Sequence, residues 1–172
     1  MRALLQRVES ASVTPDGEST RRIGRGVCTF IGITETDKSA DVNYIVSKIL
    51  NLRIFPCDNE HSGFELSVSE IRGEILVVSQ FTLYASTQKG RRPGFTQAAN
   101  AEFSEPIYET VVSSLKNSGL VIKTGIFGSY MDVKLLNNGP VSMMIDSSDK
   151  VLHKFQVTGQ NLQKKKSKKN HA

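Results

Sequence analysis

The stretch Asn138-Gly139-Pro140-Val141-Ser142 divides two apolar runs, Met131 to Leu136 and Val141 to Ile145. Glycine reaches backbone angles that other residues avoid, and proline fixes φ and has no N–H for a sheet ladder. A Gly-Pro bond also adopts cis far more readily than a non-proline bond. The chain must therefore do something specific here, and two readings are open. One is a hairpin turn between two strands. The other is a rigid backbone device in which main-chain groups do the recognising.

The remaining pattern supplies the frame. Residues 2 to 13 interleave Ala, Leu and Val with Gln6, Arg7, Glu9, Ser10 and Ser12, as a first strand does. Thr14-Pro15-Asp16-Gly17 is a turn signal, and the apolar Val27 to Ile33 is a second, central strand antiparallel to the first. From Asp37 to Arg53 the period changes. Val42, Ile45, Val46, Ile49, Leu50 and Leu52 recur at steps of three and four, which predicts a helix with Asp37 or Ser39 as its cap. Residues 56 to 73 read as loop plus a marginal strand, and Glu74 to Val78 as a buried strand. Between Ala98 and Lys116, Phe103, Ile107, Val111 and Leu115 predict a second helix, regular from about Ser104 because Pro106 is awkward in a helix interior, and closed by Gly119. A short strand, Leu120 to Lys123, follows. The order of elements predicts an α/β (α+β) domain, a mostly antiparallel twisted, barrel-like sheet covered by two helices.

Charge is localised. The net charge is +5, yet the last nine residues, Lys164 to Ala172, hold five lysines and no acid, leaving 17 residues of each sign in the body. The division is a domain over 1–158 and a basic, disordered tail over 159–172. The tail is a solubilising end, a non-specific nucleic-acid contact or a nuclear import signal. Lys89, Arg91 and Arg92 are the phosphate candidates of the body, or else a solvated loop. No segment has the make-up of a signal peptide or the roughly 18 apolar residues of a membrane span, which predicts a cytoplasmic protein. Cys28 and Cys57 form no paired motif and are expected free and buried. His61, His153 and His171 lack metal-ligand spacing, so neither metal nor cofactor is expected.

Hydrolase devices such as a nucleophile elbow or a phosphate-binding glycine loop are missing. What remains is a cluster of hydroxyl and amide groups where an apolar strand ends: Ser79, Gln80 and Thr82, with the main chain of Phe81 between them. Backbone N–H groups in such a place can bind a carbonyl oxygen as an oxyanion hole does. No strong base accompanies them. The cluster suits an easy reaction, or one whose substrate brings its own catalytic group; the plainer alternative is a sheet edge with ordinary hydrogen bonds.

Two signatures, Ser79-Gln80-Phe81-Thr82-Leu83 and Asn138-Gly139-Pro140-Val141 followed by a hydroxyl residue, resemble those of the D-aminoacyl-tRNA deacylases. Gln6-Arg7-Val8, Ile23-Gly24-Arg25-Gly26, Lys48 to Arg53 and Phe127-Gly128-Ser129-Tyr130-Met131 extend the likeness collinearly to about residue 146. The resemblance implies hydrolysis of D-aminoacyl and glycyl esters of tRNA by a homodimer that binds the tRNA acceptor end. It implies a cis Gly139-Pro140 whose carbonyls enter the partner's site and exclude L side chains, and assistance from the 2′-hydroxyl of the terminal adenosine. It also implies an adenine pocket at Phe127 and Met131, N–H donors at Phe81 and Thr82, and Arg7 bracing the Gly-Pro loop. Ser142 departs from the family's usual threonine. The alternative function is DNA binding through the lysine tail.

Overall fold

The computed structural model describes residues 1–57 and 63–150. The tail, the 158/159 boundary and all three histidines lie outside them. The elements in order are β1 (Arg2–Pro15), β2 (Arg21–Ile23), β3 (Gly26–Gly32), α1 (Ser39–Asn51), β4 (Arg53–Phe55), β5 (Leu66–Ser67), β6 (Glu74–Ser79), a 3-10 turn (Phe81–Tyr84), α2 (Ala101–Lys116), β7 (Ile122–Thr124) and β8 (Met131–Asp146).

β1 organises the sheet. One of its edges takes β2 and then β3, antiparallel and in a single unbroken register from Val13↔Arg21 to Arg2↔Gly32. β2 and β3 are thus one return strand interrupted at Gly24-Arg25, which makes the long hairpin the sequence predicts. β8 takes the other edge of β1, also antiparallel. β6 adds to β3, and β7 to β6, both parallel. The main sheet is mixed, with antiparallel pairings in the majority, and β4 and β5 form a separate two-stranded ladder.

The period of two along β6 explains its unbroken apolar run. Ile75 and Val77 face a core shared with Leu5, Val27, Ile45, Ile49, Val111 and Leu115, where both helices pack. Leu76 and Val78 face the other way, into a cluster with Val8, Val13, Ile23 and Cys28 that Met131, Val133 and Leu135 of β8 close. A sheet apolar on both sides of its middle strands must curl or be covered twice. Here helices cover one face and the curled-in start of β8 covers the other.

Several sequence expectations change. α1 is capped by neither Asp37 nor Ser39: its N-cap is Lys38, whose N–H donates to the Asp41 carboxylate at 2.9 Å. Asp37 instead accepts from the buried Met1 amine and, at 2.9 Å, from Thr34 N–H. α2 begins at Ala101 and runs through Pro106, with Asn100 as a true side-chain cap accepting from Phe103 N–H at 2.9 Å. Pro106 falls early enough that the cap and the packing of Tyr108, Val111 and Leu115 hold the helix across one missing donor. Gly119 closes the helix with φ +79° as expected. β7 lies about two residues later than predicted, and Cys57 is exposed whereas Cys28 is buried. Among the described residues no helix is long and apolar enough to cross a membrane.

Candidate active site

Asn138-Gly139-Pro140-Val141-Ser142 is not a hairpin turn. β8 passes through it and pairs with β1 on both sides, from Pro15↔Met131 to Val8↔Asn137, and from Gln6↔Ser142 to Arg2↔Asp146. Between these blocks, the four residues Asn138 to Val141 stand opposite Arg7 alone. The surplus leaves the ladder as a wide bulge. Side chains fix its base: Asn137 Oδ1 accepts from Val141 N–H at 3.1 Å, and the Ser142 hydroxyl receives Asn137 Nδ2 at 2.8 Å and Gln6 Nε2 at 3.1 Å. The retained hydroxyl at Ser142 thus has a defined place in the motif. Asn137 does not stand out in the sequence, and Gln6 does so only within the Gln6-Arg7-Val8 likeness, because their task depends on a register that no spacing shows.

Arg7 sits beneath the bulge, 3% exposed. Its Nε donates to Asn138 O at 3.1 Å, and its Nη1 to Ile54 O at 2.6 Å and Gly63 O at 3.4 Å. All three acceptors are main-chain carbonyls. Burial, and secondarily the Arg25 charge, lower its pKa from the ordinary arginine value. The guanidinium fork ties β1, β4 and the bulge together. At the crest, Gly139 has φ +116°, the Gly139-Pro140 bond is cis, and both residues are exposed. Among the described residues neither has a ladder partner on β1, and neither carbonyl accepts a hydrogen bond from outside the ladder.

The second site element is the end of β6. Ser79 is the last strand residue, and Gln80 N–H still donates to Ile31 O at 2.8 Å. The chain then tightens into the 3-10 turn, with Ala85 N–H donating to Thr82 O at 3.0 Å. The first N–H groups of such a turn have no partner within it. Among the described residues Phe81 N–H and Thr82 N–H donate to nothing. The Thr82 hydroxyl accepts from Gln80 Nε2 at 2.5 Å, and among the described residues no carboxylate is hydrogen-bonded to it.

Ser79, Gln80 and Phe81 line a pocket of about 430 Å³ together with Phe127, Gly128 and Met131, the N-terminal end of α2 and residues of β3 and β8. Phe127 leans on Tyr108, ring centroids 5.7 Å apart, and the Tyr108 hydroxyl donates to Val77 O at 3.0 Å. Burial pushes the Tyr108 phenol well above its ordinary value, so it stays neutral in the core. Gly125 packs directly beside Met131: a Cβ there would lie 2.4 Å from Met131 Sδ, so the thioether end would have to move. Within one chain the pocket gathers Ser79, Gln80, Phe81, Phe127 and Met131. Thr82, next to Phe81 in the chain, does not line it, nor do Arg7, Gly139 and Pro140. Among the described residues no group of acids, cysteines or histidines could hold a metal ion.

N–H donors without a partner among the described residues, at a strand end beside a mainly apolar pocket, are an arrangement able to bind a carbonyl oxygen, as ester hydrolases do. The sequence profile of the D-Tyr-tRNA(Tyr) deacylase family matches residues 4–146, and the chain belongs to that family, whose members are hydrolases. A D-aminoacyl-tRNA deacylase of Clostridioides difficile is 48% identical over 148 residues, covering 86% of this chain and 98% of its own. That of Aquifex aeolicus is 48% identical over 149 residues, 87% and 99% of the two chains. The solved structure titled c-Myc DNA Unwinding Element Binding Protein superposes with a TM-score of 0.78 at 40% identity, over 85% of this chain and 98% of that one. A probable eukaryotic D-amino acid tRNA deacylase shares the fold with a TM-score of 0.75 at 19% identity, over 84% and 98%.

Proposed function

We propose that this protein hydrolyses the ester bond of D-aminoacyl-tRNA, and of glycyl-tRNA, releasing the free amino acid and tRNA. The observation that carries the reading is the pair of N–H groups at Phe81 and Thr82, without a partner among the described residues, beside the aromatic pocket. They suit the ester carbonyl, and its oxygen gains negative charge as water or hydroxide adds. The terminal adenine enters between Phe127 and Met131. Ser79, Gln80 and Thr82 position the ester; Thr82, whose hydroxyl pairs with an amide and with no base among the described residues, is poorly placed as a nucleophile. The missing general base is supplied by the 2′-hydroxyl of the substrate, which shuttles the proton to the departing 3′-oxygen.

Chirality is read by the bulge. In a homodimer the Gly139 and Pro140 carbonyls of one subunit meet the α-carbon of the ester in the other. An L side chain collides with this polar wall, whereas a D side chain points away from it. Rejection of one hand needs no contact with each D side chain. Two observations support this arrangement: among the described residues neither residue has a ladder partner and neither carbonyl accepts a bond from outside the ladder, and the bulge does not line its own chain's pocket. DNA binding through the lysine tail is the weaker reading, since the rest of the chain carries no net charge.

The test is release of tyrosine from D- and L-tyrosyl-tRNA. D-tyrosine is released and the L-ester survives. Equal rates on the two, or no release from either, overturns the proposal.

A further inference from the structure

Beside the pocket lies a surface that hydrolysis of the ester does not use. From Ile75 to Ala101 the chain has no acidic residue, and its charges are Lys89, Arg91 and Arg92. All three are exposed, and none joins an ion pair among the described residues. Their loop is not free-standing. Ser86 and Gly94 close it with two main-chain hydrogen bonds, of 2.7 and 2.9 Å, and Gly90 turns its tip with φ +67°. Directly after the closure, Phe95 packs edge-to-face on Phe81, ring centroids 4.9 Å apart. Phe81 lines the pocket, yet it is 56% exposed and Phe95 36%. Two large rings held at a pocket mouth in water are costly unless something covers them. In an edge-to-face pair, the ring that offers its edge keeps its own faces clear.

We propose that Phe81, Phe95, Lys89, Arg91 and Arg92 form a docking surface for the single-stranded 3′ end of the tRNA, the nucleotides just before the one that bears the ester. A base stacks on the exposed aromatic pair, and the adjoining phosphates meet the cationic loop. Aromatic platforms flanked by positive charge bind single strands in this manner, with little sequence preference. Arg92 is three residues from Phe95, so its main chain lies within about 11 Å of the ring's own. One strand can therefore touch both without bending. The acid-free stretch removes any local competitor for the phosphates. The inference rests on the deacylase reading, because only that reading puts a nucleotide in the pocket next door.

The experiment compares D-tyrosyl-tRNA with D-tyrosyl-adenosine, which lacks the preceding nucleotides, for the wild type, the double variant R91Q/R92Q and the variant F95L. For both variants kcat/KM on the tRNA ester falls about tenfold, while D-tyrosyl-adenosine is hydrolysed at the wild-type rate. For R91Q/R92Q the slope of log affinity for uncharged tRNA against log salt shrinks by about 1.4, about 0.7 for each of the two lost phosphate contacts. Equal losses on both substrates, or no loss on the tRNA ester, overturn the surface. A wild type that hydrolyses neither substrate refutes the deacylase reading instead. Binding of uncharged tRNA by R91Q/R92Q then still decides: weakened affinity sustains the surface, and unchanged affinity refutes it.

Discussion

Arg7 is the residue whose loss should separate the two halves of the site. Arg7→Met keeps an apolar stem of similar length and removes three donated hydrogen bonds. The bond to Ile54 O matters most, since it is the shortest at 2.6 Å and Ile54 is 2% exposed. Leaving that acceptor unpaired costs about 1–3 kcal/mol. Asn138 is exposed, so water replaces its partner at a cost of a few tenths of a kcal/mol, and the contact at 3.4 Å to Gly63 O adds little. Part of the loss is returned because a buried cation no longer has to be desolvated. The net effect is about 2 kcal/mol, or a fall in Tm of roughly 4–8 °C for a chain of this size. Arg7→Lys should not restore it. One ammonium cannot reach carbonyls on β4 and on the bulge together, as a planar fork can. Thermal unfolding followed by circular dichroism gives the stability, and hydrolysis of D- and L-tyrosyl-tRNA gives the site. Both variants should lose discrimination between the two esters by more than they lose stability at the assay temperature. An Arg7→Lys protein matching the wild type in Tm and in chirality would refute the bracing role.

Gly139→Ala should weaken D-ester hydrolysis while Cys28 and the core remain buried. Its φ of +116° disfavours any side chain, and the new Cβ would lie 2.6 Å from Arg7 Nη2. If the bulge acts across a dimer, mixing Gly139→Ala with Phe127→Ala subunits restores activity that neither variant has alone, and a mixture no better than its parts refutes action in trans. Asp41 gives a pH test. Burial raises its pKa, but hydrogen bonds from Lys150 Nζ, Ser147 and Lys38 N–H outweigh this and hold it at about 2. The carboxylate's contribution, about 2 kcal/mol, is complete above the ordinary value near 3.8 and is lost as pH falls toward 2. Asp41→Asn should therefore flatten the stability curve between pH 4 and 2 and lower it at neutrality, as measured by urea unfolding across that range.

The elements legible in the sequence are those whose pattern is local. The alternation of β1, the double-sided apolar run of β6 and the three-and-four spacing of α1 each state their own burial, and the structure follows them. The strand end at Ser79-Gln80-Phe81-Thr82 was equally readable as a break from apolar to hydroxyl and amide residues. Pairing partners were not local. Nothing in Glu74 to Ser79 says that its neighbours β3 and β7 run parallel to it, since that depends on the crossings made by α1 and α2. The cap of α1 misled for a related reason: Asp37 looked like a cap, but a buried amine 36 positions away claims its carboxylate.

The bulge shows where sequence reasoning gains and where it stops. Proline and glycine announced that the ladder is broken at Gly139-Pro140, but a broken ladder can be a reversal or an excursion. The choice was made by β1, whose residues Arg2 to Gln6 continue to pair with Ser142 to Asp146 beyond the break. A reversal would have turned the second run away from β1 and exposed Val141 and Ile145, both of which are buried in the core. An excursion keeps them inside and pushes only the glycine and the proline outward. Main-chain oxygens are thereby presented on a side-chain-poor crest held from below by a buried guanidinium. A recognition surface built from carbonyls can reject a misplaced side chain of any type, because its polarity belongs to the backbone and does not vary with the residue it meets.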